Sequence, residues 1–345
     1  MRVAIDVSSL IFQTGVSQYT QNLVRHLPAE LLLQFGFSLR RGDEFPAGVK
    51  VIPLPPTAIH YLWNQAHMFP VESFVGPVGI YHSSDWAQGP SRAKKVTTIH
   101  DLSPFLFPEE TGSKIIAAHT ARMKWVVREC DAVICVSQNT AADFQKLFSY
   151  PSSKIHVIHE ALPVQHSITA NTSYVIPDTS YILAIGARQP RKNIMRLIAA
   201  YTKYREKYSL PEKLIIVGEK PHDTSYKIHD TVQFTGHISD QQLANYFAGA
   251  QAFVYPSLYE GFGLPILEAF HFGVPVAASS TSSIPEVAGS AAILFDPLDE
   301  EGIAAGIAQA IKEKTSLVAL GKKQLTKFSW KKTADETMEV YKGIC

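Results

Sequence analysis

The chain has 345 residues, of which 46% are hydrophobic and 18% are charged, and its formal net charge is +1. This length is long for one hydrophobic core and suits two domains, and the composition is that of a globular protein rather than a disordered or fibrous one. A charge so close to zero provides no overall field that would attract nucleic acid, so we expect no nucleic-acid partner.

The first half of the chain alternates between strand-like and helix-like segments. Short apolar runs predict strands at 3–7, 35–39, 78–82, 96–99 and 132–136, and apolar residues at three- and four-residue intervals predict helices at 18–27, 114–129 and 139–148. Alternation of this kind is typical of an α/β fold with a mainly parallel sheet covered on both faces.

The second half repeats this scheme. Strands are predicted at 181–185, 214–217, 232–234, 252–255 and 274–277, and a helix is predicted at 193–208. The strands are short β-branched runs bounded by Gly and Pro, as expected of strands buried on both faces. Between the halves, residues 166–179 are polar and weakly patterned, and we interpret them as a linker between a domain at 1–165 and a domain at 180–328.

The start of the chain and its cysteines bear on its location. Residues 1–6 run directly into strand-like sequence without the features of a secretory signal, and no segment approaches the roughly 18–20 apolar residues that span a bilayer. Cys130, Cys135 and Cys345 show no metal-ligand spacing. We therefore expect a cytoplasmic protein with free thiols.

The segment richest in chemical information follows the strand predicted at 252–255. It reads Glu-Gly-Phe-Gly-Leu-Pro-Ile-Leu-Glu from Glu260 to Glu268, and Pro265 is expected at the first position of a helix. The backbone amides of residues 262–264 would then lie at the amino end of that helix, which attracts anions such as a diphosphate. Gly261 and Gly263 would allow a ligand to approach the backbone closely.

The two glutamates of this segment are spaced to bind hydroxyl groups. Glu260 precedes the predicted helix and Glu268 lies about one turn inside it. One carboxylate can therefore reach a ligand in front of the helix and the other a ligand alongside it, which suits a sugar and a ribose on either side of a diphosphate. Taken singly, each glutamate is equally compatible with a solvated charge near the start of a helix.

This string from Glu260 to Glu268 closely resembles the signature of the retaining glycosyltransferases of family four, which have the GT-B fold, and the resemblance covers nearly the whole chain. It implies two facing Rossmann-like domains and a C-terminal helix, residues 329–345, that crosses back to the first domain. It also implies that Glu260 contacts the donor sugar near the reacting centre and that Glu268 binds the ribose hydroxyls. The amides of Gly261, Phe262, Gly263 and Leu264 would hold sugar and phosphate.

A basic loop supports the same interpretation. Residues 186–193 read Gly-Ala-Arg-Gln-Pro-Arg-Lys-Asn and match the family's Gly-x-Arg-x-x-x-Lys-Asn pattern. Arg188 and Lys192 would add fixed positive charge beside the departing diphosphate. Without the resemblance, such a loop is more often solvent-facing, and Arg191 is ambiguous and is left unassigned.

Three more positions are assigned through the resemblance. His100 ends the strand at 96–99 and is placed beside the donor sugar, although a lone histidine there is more often structural. Gly15 lies in a turn that faces the donor phosphates and the acceptor, where many family members have two adjacent glycines. Ile238 belongs to a turn similar to the one that receives the nucleotide base, although Ser239 could equally cap a helix there.

One departure from the family concerns the end of the first domain. Family members often show a Pro-Asn-Gly turn there, whereas this chain reads Ile-His-Glu-Ala-Leu-Pro at 158–163. The geometry of that segment is therefore left open.

The resemblance implies a retaining hexosyltransferase that uses a GDP- or UDP-linked nucleotide-sugar as donor, with GDP-mannose as the first guess. The acceptor would be a glycan or lipid-linked glycan, as in lipopolysaccharide or other polysaccharide biosynthesis. No Asp-x-Asp pair offers a metal clamp, and Arg188 and Lys192 would stabilise the diphosphate, so we expect neither a metal nor a cofactor.

The sequence disfavours three alternative functions. A nucleotide-sugar epimerase of the same architecture is disfavoured by the string from Glu260 to Glu268, and a silent GT-B binding or scaffold protein is disfavoured by His100, Arg188 and Lys192 beside both glutamates. A nicotinamide dehydrogenase is weaker still because neither half has Gly-x-Gly-x-x-Gly after its first strand.

The helix predicted at 114–129 bears on a further partner. Its basic residues are Lys114, Arg122, Lys124 and Arg128, and its apolar residues include Ile115, Ile116, Trp125 and Val126. Peripheral contact with the inner membrane from the cytoplasmic face and an ordinary solvated basic face both stay open.

Overall fold

The computed structural model describes residues 1–12, 14–163, 180–186, 189–220 and 229–345. Backbone contacts divide the chain into two units. The first unit comprises Met1–Pro163 and Ser329–Cys345, and the second comprises Val164–Phe328. The linker predicted at 166–179 lies outside the described residues.

The first unit is built on a seven-stranded parallel sheet. Its strands are β1 (Val3–Asp6), β2 (Leu32–Phe37), β3 (Lys50–Ile52), β4 (Ile80–Ser83), β5 (Lys94–Ile99), β6 (Ala132–Cys135) and β7 (Ile155–Val157). Their spatial order is β3-β2-β1-β4-β5-β6-β7. Strands β1, β4 and β6 are buried along their whole length, and most of their residues are apolar, although Asp6 and His82 are buried polar exceptions.

The second unit contains a six-stranded parallel sheet. Its strands are β8 (Tyr181–Ile185), β9 (Lys213–Val217), β10 (Val232–Phe234), β11 (Ala252–Tyr255), β12 (Val276–Ser279) and β13 (Ala292–Phe295). Their spatial order is β10-β9-β8-β11-β12-β13. Both units therefore have the Rossmann-like α/β architecture expected from the sequence.

The helices of the described chain cover these sheets. They are α1 (Gly15–His26), α2 (Pro56–Ile59), α3 (Glu72–Val75), α4 (Ser103–Leu106), α5 (Ser113–Glu129), α6 (Gln138–Phe148), α7 (Ile194–Tyr204), α8 (Asp240–Gly249), α9 (Leu264–His271), α10 (Ile284–Ala288), α11 (Glu300–Lys312), α12 (Lys314–Leu325) and α13 (Trp330–Ile344). None of them is long and apolar enough to cross a bilayer.

Helix α13 belongs to the first unit although it ends the chain. It begins at the cap Ser329, whose side chain accepts a hydrogen bond from the Lys332 amide. Trp330 Nε1 donates to the Leu162 carbonyl at 2.9 Å, and the Tyr341 hydroxyl lies 2.6 Å from His82 Nδ1. The final helix is therefore fixed to the sheet and to the segment that follows β7.

Three strands were missed in the sequence. Strands β3, β7 and β13 lie at sheet edges and are partly exposed, so they lack the continuous buried run that marks the central strands. The helix predicted at 193–208 begins at Ile194 instead, because Asn193 has a φ of 60° and stands outside the helix. It ends at Tyr204.

The basic face predicted for α5 is smaller than expected. Arg122 is 2% exposed and donates to Thr97 Oγ1 at 2.5 Å, so it belongs to the interior. Lys124 and Arg128 are exposed and lie against the Trp125 ring, 4.8 and 5.6 Å from its centroid. The three cysteines form no disulfide, in agreement with the expectation of free thiols.

In each sheet, successive strands are first added towards one edge and then, after a single reversal, towards the other edge. This reversal lies between β1 and β4 in the first unit and between β8 and β11 in the second. Open parallel sheets bind ligands in the crevice beyond the carboxyl ends of the two strands at such a reversal. The loops that follow these four strands are therefore the expected position of a ligand site.

Candidate active site

The loops after β8 and β11 bring three charged side chains together. Lys192 Nζ lies 2.7 Å from Glu260 Oε1, and Arg191 Nη1 lies 3.2 Å from Glu260 Oε2. The three side chains are only 16%, 13% and 9% exposed, for Lys192, Arg191 and Glu260 respectively. One buried carboxylate is thus shared by two cations, and the cluster has a net charge of +1 when all three groups are ionised.

The Lys192 side chain is held from several sides. Gly186 has a φ of +106°, and a Cβ atom there would lie 2.8 Å from Lys192 Cγ, so the lysine stem packs directly on the glycine backbone. Its ammonium also donates to the Tyr255 hydroxyl at 3.2 Å. The glycine of the basic loop is therefore needed for both its conformation and its small size.

Backbone and amide contacts fasten the two loops to each other. The Leu258 amide donates to the Arg191 carbonyl at 2.7 Å. Asn193 Nδ2 donates to the carbonyls of Pro256 and Pro297 at 3.1 and 2.7 Å. Asparagine tolerates the left-handed conformation found here, and this conformation aims its side chain at those carbonyls.

Two opposing effects set the protonation of Glu260. Burial by itself would raise the pKa of this carboxyl group, but the charges of Lys192 and Arg191 outweigh burial and lower the pKa below its usual value. Burial, followed by the nearby Glu260 charge, raises the pKa of Tyr255 well above its ordinary range. Glu260 is therefore an anion, and Tyr255 is a neutral hydroxyl.

The loop from Glu260 to Gly263 is buried and ends at helix α9. Gly263 caps the helix with a φ of +115°, and the helix begins at Leu264, so Pro265 is its second residue rather than its first as predicted. Ser283 Oγ donates to the carbonyls of Glu260 and Phe262 at 2.9 and 2.7 Å. These contacts fix the loop backbone in front of the helix.

Glu268 lies on α9 and is 5% exposed. Ile238 is half-buried in the turn after β10, where the Gly236 amide donates to the Gly218 carbonyl at 3.2 Å. Ser239 caps α8 with a capping box, so the expected capping role is confirmed. This turn lies at the same carboxyl edge of the sheet as the loops after β8 and β11.

In the first unit, His100 follows β5 and has a carboxylate partner. Its Nδ1 atom lies 3.0 Å from Glu160 Oε1, with 16% of the histidine side chain and 7% of the glutamate side chain exposed. The Tyr19 ring meets the imidazole edge-on, with 4.5 Å between the ring centroids. The imidazole is thus confined by a charge on one side and by an aromatic ring on another.

A small polar cavity lies at the strand reversal of the first unit. It measures about 20 Å³, and its lining includes Asp6, Ser84, Asp85, Thr98 and His100. Burial raises the pKa of Asp6 to about 6, although hydrogen bonds from Ser8 oppose this effect. Burial also lowers the pKa of His82, which lines the same cavity, to about 3, so this imidazole is neutral.

Gly15 begins α1 close to this strand reversal. A Cβ atom at Gly15 would meet nothing within 4 Å, so the fold itself does not require a glycine there.

Across the described residues, no group of three or more His, Cys, Asp or Glu side chains could hold a metal ion.

Two family profiles match this chain, one in each half. The profile described as Glycosyltransferase Family 4 matches residues 13–166, and the profile described as Glycosyl transferases group 1 matches residues 171–326. The O-antigen chain mannosyltransferase B of Escherichia coli is 31% identical over 287 aligned positions, and the match covers 76% of this chain and 74% of that relative. The chain belongs to glycosyltransferase family 4.

Further relatives of this family 4 glycosyltransferase differ in length. The serotype-specific mannosyltransferase WbdA of Escherichia coli is 29% identical over 272 aligned positions, and the match covers 70% of this chain but only 32% of WbdA. Among solved structures, sucrose-phosphate synthase from Thermosynechococcus elongatus superposes with a TM-score of 0.74 at 18% identity, covering 100% of this chain and 99% of that one. Anabaena HepE in complex with UDP and glucose gives 0.68 at 16% identity over 99% of both chains. These structures support the GT-B fold.

Several of the residues predicted in this family 4 glycosyltransferase come together within their own unit. Lys192 and Glu260 are in contact in the second unit, and Gly261 to Leu264 link Glu260 to helix α9. Arg188 lies outside the described residues. In the first unit, His100 and the end of β1 line the same cavity.

Two residues of these clusters were missed in the sequence. The basic loop contains Arg191 without indicating a partner for it, and Glu160 lies in the segment 158–163, where the chain departs from the family's Pro-Asn-Gly turn. Their partners stand about 60 to 70 positions away, so spacing carries no signal for them.

Proposed function

We propose that this glycosyltransferase moves a hexosyl group from a nucleotide-sugar to a hydroxyl group of a glycan acceptor, with retention at the anomeric carbon and without a metal. The observation that carries this proposal is the buried cluster of Lys192, Arg191 and Glu260 at the strand reversal of the second unit. Glu260 belongs to the loop that leads into helix α9, so the cluster would bring positive charge and a carboxylate to a sugar-linked diphosphate bound at the amino end of that helix.

Lys192 is suited to stabilise the leaving nucleoside diphosphate. An ammonium group has three N–H donors, and Lys192 directs two of them to Glu260 and the Tyr255 hydroxyl. The third is available for a phosphate oxygen. Together with Arg188 and the amides of residues 261–264, it would supply the charge stabilisation that a metal ion provides in other transferases.

The carboxylates would bind the parts of the donor that carry hydroxyl groups. Each oxygen of Glu260 accepts one bond from a cation, and in the proposed complex the carboxylate would also accept a bond from a sugar hydroxyl. In the proposed complex, Glu268 binds the ribose and Ile238 lies beside the base. Gly15 and His100 contribute from the first unit, Gly15 towards the phosphates and His100 towards the sugar.

The state of Glu260 favours attack on the same face as the departing group. A carboxylate paired with two cations and with a lowered pKa is a weak nucleophile, which argues against a covalent glycosyl intermediate. In the proposed step, the bond from the anomeric carbon to the phosphate oxygen breaks through a short-lived oxocarbenium-like ion pair. The acceptor oxygen bonds to that carbon, and its proton passes to the departing diphosphate.

The donor proposed first is GDP-mannose, with UDP-hexoses as the competing class. Both Escherichia coli relatives are named as mannosyltransferases, which supports mannose, while the Anabaena HepE complex with UDP and glucose supports the wider class of nucleotide-sugars. The first relative is named as an O-antigen chain mannosyltransferase, which supports a glycan acceptor, and the acceptor we propose is a lipid-linked or lipopolysaccharide glycan at the cytoplasmic side of the inner membrane.

Binding of the donor is tested first by thermal shift with UDP, GDP, UDP-glucose and GDP-mannose. We expect one nucleotide and its sugar conjugate to stabilise the protein, and we expect Glu268→Ala to lose this effect while the exposed Glu313→Ala keeps it. The anomeric configuration of the product, formed with and without EDTA, then tests retention and metal independence. No stabilisation at millimolar ligand, or conversion of the donor to an epimer without acceptor, would contradict the proposal.

Membrane contact is proposed for the exposed side of α5. Lys114, Lys124 and Arg128 are exposed there, and Ile115 is 52% exposed. These groups suit the surface of an anionic bilayer. We expect the wild type to sediment with phosphatidylglycerol-containing vesicles at low salt and the double variant Lys124→Glu/Arg128→Glu to stay in solution, and equal behaviour of the two proteins would refute this contact.

A further inference from the structure

The pair of His100 and Glu160 is the strongest feature of the first unit that the proposed function leaves unexplained. Glu160 is 5% exposed, and its Oε1 atom lies 3.0 Å from His100 Nδ1. A carboxyl group in the interior requires a partner, and for Glu160 this is a histidine at the carboxyl edge of the sheet. The question is what the glutamate does to the imidazole.

A carboxylate partner selects one form of the imidazole ring. An ionised carboxylate only accepts hydrogen bonds, so His100 Nδ1 must carry the proton that is shared with Glu160. In the neutral ring, Nε2 is then left as an acceptor. Within the described residues Nε2 has no hydrogen-bond partner, so its lone pair is available to a ligand hydroxyl.

The ring orientation is also restricted. Tyr19 packs edge-on against His100, and its own hydroxyl lies 3.3 Å from Thr98 Oγ1, two residues before the histidine. Trp330 meets the other side of Tyr19 at 5.6 Å between ring centroids. The aromatic contacts limit rotation of the imidazole, while the bond to Glu160 determines which nitrogen faces away.

The C-terminal helix α13 holds Glu160 in place. Thr333 Oγ1 donates to the His159 carbonyl at 2.7 Å, and Trp330 Nε1 donates to the Leu162 carbonyl at 2.9 Å. These two bonds flank Glu160 on both sides along the chain. The last helix of the chain thereby fixes the backbone that carries the carboxylate.

We propose that Glu160 is a positioning residue that keeps His100 in the Nδ1–H form, so that Nε2 accepts a hydrogen bond from a hydroxyl of the donor sugar. This inference rests on the proposed function, because the ligand of His100 is the sugar of the nucleotide-sugar. Glu160 lies where this chain departs from the family's Pro-Asn-Gly turn, and the inference gives that departure a role. An asparagine side chain can both donate and accept hydrogen bonds, so it would not select one form of the imidazole as a carboxylate does.

The chain offers a matched control for this pair. His67 Nε2 lies 2.8 Å from Glu129 Oε1, and the His67 ring stacks on Trp125. Glu129 ends α5 and lies just before β6, at the amino edge of the sheet and so away from the loops that carry the candidate site. Glu129→Gln therefore removes a histidine–glutamate pair from the same unit without touching His100.

The first measurement is the protonation pattern of His100 by ¹H–¹⁵N NMR at about pH 8.5, two units above the ordinary pKa of histidine. The resonances are assigned with His100→Gln. We expect the wild type and Glu129→Gln to show a protonated Nδ1 and a bare Nε2, and Glu160→Gln to show a mixture of both ring forms. A wild-type ring protonated at Nε2, or a ring unchanged in Glu160→Gln, would overturn the proposal, and the wild-type spectrum tests it even if the variant does not fold.

The second measurement separates positioning from general stability. Affinities for the free nucleoside diphosphate and for its sugar conjugate are compared, using the pair selected in the thermal-shift series. We expect Glu160→Gln to keep the affinity for the free nucleotide. Its affinity for the sugar conjugate should fall by about 3- to 10-fold, and His100→Gln should show the same loss. The double variant should lose no more than either single variant, because the two residues act as one unit.

The outcomes distinguish this inference from the proposed function. If no nucleotide binds the wild type, the proposed function fails, and with it the sugar as ligand of His100, whereas the NMR result still reports on the Glu160–His100 pair. If nucleotides bind and Glu160→Gln keeps the full gain from the sugar, the positioning role is wrong. An equal loss for the nucleotide and for the sugar conjugate would indicate a merely structural role and would also overturn it.

Discussion

The ammonium group of Lys192 lies 2.7 Å from the carboxylate of Glu260, although 68 positions separate them along the chain. The contact joins the loop after β8 to the loop after β11 across the strand reversal of the second unit. Arg191 reaches the other carboxylate oxygen, so removal of Glu260 leaves two cations close together without their shared anion.

Glu260→Gln is therefore expected to destabilise the second unit by about 3 kcal/mol at pH 7. The folded-state pKa of Glu260 is lowered, so its stabilising contribution is complete above the ordinary value of 4.5 and is lost as the pH falls through the lower folded value. Urea unfolding of both proteins at pH 7 and at about pH 3.5 measures this. A difference that grows on acidification would contradict the assignment of Glu260 as a paired anion.

Gly186→Ala is expected to destabilise the second unit by about 1–3 kcal/mol, because the new methyl group meets Lys192 Cγ and φ is +106°. Donor affinity should fall with it, since Lys192 is displaced. Gly15→Ala is the control for stability, because a Cβ atom there meets nothing within 4 Å and alanine favours a helix. If Gly15 faces the donor phosphates, its alanine variant should keep its stability and still lose donor affinity.

Asp6→Asn is expected to stabilise the first unit at neutral pH. The folded-state pKa of Asp6 is raised from 3.8 to about 6, so the contribution of this carboxyl group to stability is most favourable below pH 3.8 and is lost as the pH rises from 3.8 through 6. A rise of about two pKa units corresponds to a cost of about 3 kcal/mol, which a neutral amide avoids. Unfolding free energies of the two proteins should diverge between pH 4 and pH 7. If the unfolding free energies of the two proteins changed with pH in the same way, ionisation of the Asp6 carboxyl group would not be disfavoured by burial.

Thr333→Val is expected to cost about 1–2 kcal/mol, because the His159 carbonyl loses a buried donor while the side chain keeps its shape. The matched control is Thr326→Val, which removes an exposed threonine bond to the Lys323 carbonyl and should change stability by less than about 0.5 kcal/mol. Thermal unfolding of the three proteins measures this. Equal effects of the two substitutions would mean that α13 does not anchor the segment carrying Glu160.

The sequence by itself determined the elements whose signals are local. Alternating apolar runs and helical periodicity identified the central strands and the α/β architecture, and the position of Ser239 before a helix indicated its capping role. The spacing from Glu260 to Glu268 pointed to the family that the profiles then matched. Each of these signals lies within about one element of the chain, so the order of strands in space was not needed.

Only the tertiary structure decided which residues meet. Lys192 and Arg191 share Glu260 because β8 and β11 are neighbours in the sheet, and His100 meets Glu160 because β5, β6 and β7 lie side by side. Strand order is set by packing of the whole sheet, so no local spacing reports it. Edge strands β3, β7 and β13 escaped prediction for a related reason, since their short, half-exposed sequences are strands only through the neighbours they pair with.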